Sequence, residues 1–228
     1  MRKPVAMRLV LAAGLVTLVA SCNISKWETR PLADVNAQGR EAIAAGDYAR
    51  AEQEYRLYVN RRPHSAIGHH GLGRALMAQG QYTAAASEFQ IAWDIEPTNL
   101  DYLEAHCEAL LAAQEYDRLF GVLKRRATGS GDPQDYLRLA RFAERAGTSE
   151  EALDALLTWA RIDKGRTVEP QLALAKFYRG LGDSERELLR LRAVLYINPT
   201  HPVAVARIRE LGEIPGETLA VIPPEREG

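Results

Sequence analysis

His69, His70, His106 and Cys107 are the side chains of this sequence best suited to hold a metal. Imidazoles and a thiolate are the usual partners of a tetrahedral zinc ion. Their spacing works against such a site. His69 and His70 are neighbours, as are His106 and Cys107, and adjacent helical residues point about 100° apart. One ligand from each pair could meet across two helices, but no carboxylate spacing completes the set. Packed or solvated histidines are the expectation, with no metal and no cofactor. Gly71-Leu72-Gly73-Arg74-Ala75-Leu76 brushes against the dinucleotide-binding fingerprint. It follows no strand and lies within a helical pattern, so its glycines suit packing and not a phosphate-cradling turn. A nucleophile elbow and a phosphate-binding lysine loop are both missing. No catalytic residue can be nominated, and the chain reads as a non-enzyme.

The elements that carry these residues follow from a fixed period. Pro63 and Pro97 stand 34 residues apart, as do Gly46 and Gly80, Tyr48 and Tyr82, Ala51 and Ala85, and Tyr55 and Phe89. A 34-residue repeat is the mark of stacked helix-turn-helix units. Five units result, over residues 32–65, 66–99, 100–132, 133–167 and 168–201. Each has an inner turn, at Gly46, Gly80, Gln114, Gly147 and Gly182 in succession. Glycine there allows the left-handed backbone that ends a helix. Prolines 63, 97, 133 and 199 break the chain between units, and Pro170 enters the fifth.

This pattern resembles the tetratricopeptide repeat family. The family places a small residue at position 8 of each unit, found here as Gly39, Gly73, Cys107, Ala140 and Ala175. Position 20, normally alanine, carries Ala51, Ala85, Leu119, Ala152 and Glu187; position 24 carries the large Tyr55, Phe89, Leu123, Leu156 and Leu191. A small residue lets the second helix approach, and a large one fills the gap between units. The resemblance implies an all-α, right-handed α-solenoid of about five repeats. Leu119 implies that the third pair splays, the segment 127–132 reads as a loose bend, and Glu187 marks the fifth repeat as the softest.

In this family the first helix of each pair lines a concave groove. Carried over by position, groove residues are Asn36, Arg40, His70, Arg74, Met77, Glu104, Glu108, Arg138, Arg141, Lys176 and Arg179, with Leu137, Glu144 and Leu172 beside them. Four of the five position-9 residues are cationic (Arg40, Arg74, Arg141, Lys176), a basic ladder interrupted by Glu104 and Glu108. Arginine on a rigid helix can grip carboxylates bidentately. The ladder therefore points to an extended peptide with acidic groups or a free C-terminus. The lysine and asparagine clamp best known in the family is absent.

The two ends carry further signals. Arg2, Lys3 and Arg8 precede an apolar run, Leu9 to Ala20, too short to span a bilayer comfortably. It ends in Val19-Ala20-Ser21-Cys22, which resembles the bacterial lipoprotein signal motif. The resemblance implies cleavage after residue 21 and lipid attachment at Cys22, giving stable anchoring through several acyl chains. Asn23, in place of aspartate, points to the outer membrane if the source is Gram-negative. The tether 22–31 spans at most roughly 35 Å, and Trp27 within it either meets lipid headgroups or covers the first helix pair. At the other end, residues 202–212 carry Val205, Ile208 and Leu211 on one stripe and read as a capping helix. Residues 213–228 read as disordered, with Leu219 to Pro224 a possible docking segment.

Removing the leader's three cations from the 29 Lys and Arg leaves 26 against 30 acidic residues, a balance of −4. That disfavours a nucleic-acid partner. With Cys22 lipidated, Cys107 has no disulfide partner and reads as a buried hydrophobe. The functional expectation is a membrane-anchored adaptor of the bacterial cell envelope that binds a protein or peptide in its groove. The alternative is an assembly factor resembling the pilotin lipoproteins, which join lipidation to these repeats and help outer-membrane secretin rings form.

Overall fold

The computed structural model describes residues 30–226, so the leader, Cys22, Asn23 and Trp27 lie outside the described residues. Within them the chain forms eleven α-helices and no strand. Five antiparallel pairs succeed one another: α1 (Leu32–Ala44) with α2 (Tyr48–Arg61), α3 (Ala66–Ala78) with α4 (Tyr82–Ile95), α5 (Leu100–Ala112) with α6 (Tyr116–Ser130), α7 (Pro133–Arg145) with α8 (Ser149–Asp163), and α9 (Glu169–Gly180) with α10 (Ser184–Ile197). A shorter helix, α11 (Pro202–Glu210), follows, and a 3₁₀ turn at Pro224–Arg226 ends the described chain.

One turn geometry recurs at all five inner corners. Gly46, Gly80, Gly147 and Gly182 sit at φ between 73° and 76°, and Gln114 adopts the same left-handed region at 59°. The next amide then reaches back to close the turn, Asp47 to Ala42, Gln81 to Leu76, Glu115 to Leu110, Thr148 to Ala143 and Asp183 to Tyr178, at 2.9–3.0 Å. These bonds satisfy carbonyls that a helix end would otherwise orphan. The outer corners are set by caps: Ser65 accepts from Gly68 N at 3.4 Å and Asp132 from Gln134 N at 2.9 Å, with Pro133 pre-set in the first turn of α7.

Packing follows the small-and-large rule. A Cβ on Gly39 would stand 2.7 Å from the Tyr55 ring, and one on Gly73 the same distance from the Phe89 ring. Tyr55 also occupies the space beside Gly71 in the next unit, so one ring fills notches on two repeats. The main core runs from Tyr55 through Leu103, Leu123, Phe142 and Leu156 to Tyr178. A second cluster joins Leu191, Val194 and Leu195 to Ala204 and Ile208 of α11, which covers the last repeat. The third pair, α5 with α6, has the sparsest contact of the five, with Leu119 fully buried between its helices.

Three expectations change. Residues 127–130 are no loose bend: α6 continues to Ser130, and Gly131 at φ 64° ends it. Ser130 donates to Asp135 at 2.6 Å and accepts from Asp132 N at 3.1 Å, fastening that corner. Glu187 is no unpaired charge in the fifth repeat: Arg207 of α11 grips both its oxygens at 2.6 and 2.9 Å. The tail is not disordered over 213–226. Arg192 donates to Leu219 O at 2.7 Å, and Glu225 accepts from Arg190 at 2.6 Å and Gln171 at 2.9 Å. Gln171 and Arg190 are buried polar groups that the tail satisfies.

Candidate partner-binding groove

The odd-numbered helices share one face. His70 of α3 meets Tyr102 of α5 at 4.9 Å between ring centroids, α5 exchanges ion pairs with α7, and α7 and α9 enclose a common hollow. The even-numbered helices share the other: Arg118 of α6 reaches Gln90 of α4, and Lys124 of α6 pairs with Glu151 of α8 at 2.6 Å. All eleven expected groove residues lie on the odd helices, but they do not act as one ladder.

At the centre the charges neutralise one another. Arg141 and Arg138 both pair with Glu104, and Arg138 also pairs with Asp135. Arg145 takes both oxygens of Glu108 and lies over the Phe142 ring at 5.2 Å. Asp135, nearly fully buried, is also held by Arg126 at 3.0 Å. Burial pushes the Asp135 carboxyl up, but the bonds from Ser130 and Arg126 outweigh it and hold the group below its ordinary range. These pairs join α7 to α5 across the third and fourth repeats. Arg145 and Asp135 were missed as site residues, although position 13, where Arg145 stands, belongs to the family's groove set. Asp135 carried no such signal, since its partners lie on α6 and along α7.

The N-terminal part keeps its charge. Arg40 and Arg74 are exposed and have no ion pair among the described residues. Below them, Tyr55 donates to Asn36 Oδ1 at 3.4 Å, and Met77 packs partly buried against the core. His70 lies half-buried between Phe89 and Tyr102. Burial, reinforced by the charge of Arg74, lowers its pKa from the ordinary 6.5 and so favours the neutral imidazole. At the C-terminal part, Leu137, Arg138, Arg141, Glu144, Ala173 and Lys176 line a hollow of about 270 Å³. Lys176 also borders a cleft of about 90 Å³ with Arg179, Leu172 and Glu187.

His69, His106 and Cys107 are buried and stay apart from that face. His69 donates through Nε2 to Pro63 O at 2.8 Å, with Nδ1 2.7 Å from Glu88. His106 Nδ1 donates to Ala86 O at 2.8 Å, and burial lowers its pKa. Burial pushes the Cys107 thiol up to about 12. Among the described residues no three of His, Cys, Asp and Glu converge on a metal-sized site, and no helix is long and apolar enough to cross a membrane.

No protein-family model matches the sequence, and no curated protein is similar to it. Solved structures are. The crystal structure of MamA protein aligns with TM-score 0.51 and 16% identity, over 84% of this chain and 98% of that one. Five successive helix pairs of 33 to 35 residues with one turn geometry, in an arrangement shared with that structure, decide the architecture. The fold is a tetratricopeptide-repeat solenoid. A MamA RS-1 double mutant gives TM-score 0.50 and 15% identity, over 74% and 95%. YrrB, described as a TPR protein with an unusual peptide-binding site, gives TM-score 0.47 and 17% identity, over 78% and 92%. These likenesses concern the fold. In this tetratricopeptide-repeat solenoid the odd-helix face is divided, with a neutralised centre between two cationic ends.

Proposed function

We propose that this protein is a lipid-anchored tetratricopeptide-repeat adaptor of the bacterial cell envelope, whose groove captures an extended segment of a partner protein. One observation carries the reading. Glu104 and Glu108 are already neutralised by Arg138, Arg141 and Arg145, which leaves Arg40 and Arg74 at one end and Lys176 and Arg179 at the other without an ion pair among the described residues. Exposed cations on packed helices can receive carboxylates with little loss of side-chain freedom. The partner segment thus carries acidic side chains, or a terminal carboxylate, at its two ends and uncharged residues over the centre. Leu137, exposed beside the paired Arg138 and Arg141, offers it uncharged surface.

The anchor rests on the leader and the Val19-Ala20-Ser21-Cys22 motif, outside the described residues. Its effect is passive. Holding the groove near a membrane raises the partner's effective concentration there. A photo-crosslinking residue in place of the exposed Leu137, in living cells, tests the whole reading. It should trap a discrete envelope protein, and Lys176→Ala should reduce the yield. No adduct above background, or trapping indifferent to Lys176, would overturn it. Recovery of a secretin subunit would instead support the pilotin-like assembly factor.

A further inference from the structure

We propose that the hollow between the C-terminal end of α8 and the docked tail binds a phosphate-bearing ligand. It has a volume of about 760 Å³ and is lined by Leu157, Arg161, Lys164, Arg166, Pro224, Glu225 and Arg226. It lies on the even-helix face, away from the groove.

Charge is the first argument. None of the four cations has an ion pair among the described residues, whereas Arg118, Arg126, Arg138, Arg145, Arg186 and Arg207 each pair with a carboxylate. Arg161 donates to neutral acceptors, Thr158 Oγ1 at 2.8 Å and Leu157 O at 3.4 Å. Arg226 donates to Gly165 O at 3.0 Å and lies over the Tyr196 ring at 5.4 Å. Nearby carboxylates are engaged elsewhere. Glu225 turns both oxygens to Arg190 and Gln171, while Asp163 accepts from the amides of Arg166 and Thr167 and from the Thr167 hydroxyl. Four cations without an ion pair outweigh the one uncompensated carboxylate beside them, Asp163, and leave a positive potential that a dianion relieves. Guanidinium forks match phosphate oxygens, and lysine adds a compact charge.

Construction is the second. Lys164 and Gly165 take successive left-handed conformations, at φ 55° and 61°, a strained choice for lysine. Gly165 is needed where it stands, because a Cβ there would lie 2.6 Å from Pro223. The turn and the tail therefore fit together, and Arg226 enters the hollow only with the tail docked. Ligand binding and tail docking must then favour each other by the same factor. Leu157 and Pro224 give an apolar wall for the organic part of a phosphate ester.

The test titrates the full chain with inorganic pyrophosphate at fixed ionic strength, followed by calorimetry. One saturable site is expected, weakened at least tenfold by Arg161→Gln with Arg166→Gln and several-fold by Arg226→Gln. The variants should keep their helical circular dichroism, and Arg74→Ala in the groove should bind as the parent does. Pyrophosphate should also slow hydrogen exchange at the Val221 amide. A parallel flotation with phosphatidylglycerol vesicles, against phosphatidylcholine, separates a lipid headgroup from a soluble phosphate ester. No saturable binding in either arm, or an affinity indifferent to the double substitution, would overturn the proposal.

Discussion

Arg207 of the capping helix holds Glu187 of the last repeat through two parallel bonds, Nε to Oε1 at 2.6 Å and Nη2 to Oε2 at 2.9 Å. The carboxylate stands where three of the other repeats carry alanine, and its side chain is only 3% exposed. Arg207→Ala should therefore lower the denaturation midpoint, since it strands a buried charge. Replacing both residues with leucine should recover much of that loss. Urea melts of the three proteins check this; a double variant worse than Arg207→Ala would contradict the buried-pair account.

Two glycine substitutions should act in opposite directions. Gly73→Ala places a methyl 2.7 Å from the Phe89 ring, which is itself buried. Overpacking should cost about 1–3 kcal/mol. Gly129, in α6, has nothing within 4 Å of its would-be Cβ. Gly129→Ala should stabilise by roughly 0.5–1 kcal/mol through helix propensity. Thermal melts give both signs.

The tail should release in acid. Burial pushes the Glu225 carboxyl up, but Arg190 and Gln171 outweigh it, so its folded pKa lies below the ordinary 4.5. The stabilisation is then complete above 4.5 and is lost as pH falls through the lower folded value. Amide exchange at Val221, whose N–H bonds Arg192 O at 3.3 Å, should accelerate over that range. Glu225→Gln should expose the tail already at neutral pH and remove the dependence.

The groove arginines should divide by role. Arg74→Ala should weaken partner capture and reduce its salt sensitivity, because it removes a charge without an ion pair. Arg141→Ala should change capture little, since Arg138 still serves Glu104 at 3.5 Å. Pull-downs at two salt concentrations discriminate; equal losses would restore the continuous ladder expected from position 9.

Cys107 should resist alkylation in the folded protein, its thiol being buried and raised to about 12. Mapped by mass spectrometry, its modification should begin only with unfolding. Rapid labelling under native conditions would mean that the third repeat opens.

Contiguous residues were enough to specify the repeat. The 34-residue spacing, Gly46 and its equivalents, Pro133 behind Asp132, and the pairing of Gly73 with Phe89 are local or strictly periodic, so they can be read along one chain. Even the departure at Leu119 announced a loosened third pair. Which helices carry the expected groove residues followed from the same frame. Tertiary structure alone decided what those side chains meet. Arg141 finds Glu104 and Arg145 finds Glu108 across 37 positions, and Glu225 finds Gln171 across 54. Such partnerships depend on the register between separate helices and on where a tail lands, which no period encodes. The physical reason is reach: turns and caps are set by neighbours within a few residues, whereas charge neutralisation is set by whatever the fold brings within hydrogen-bonding distance.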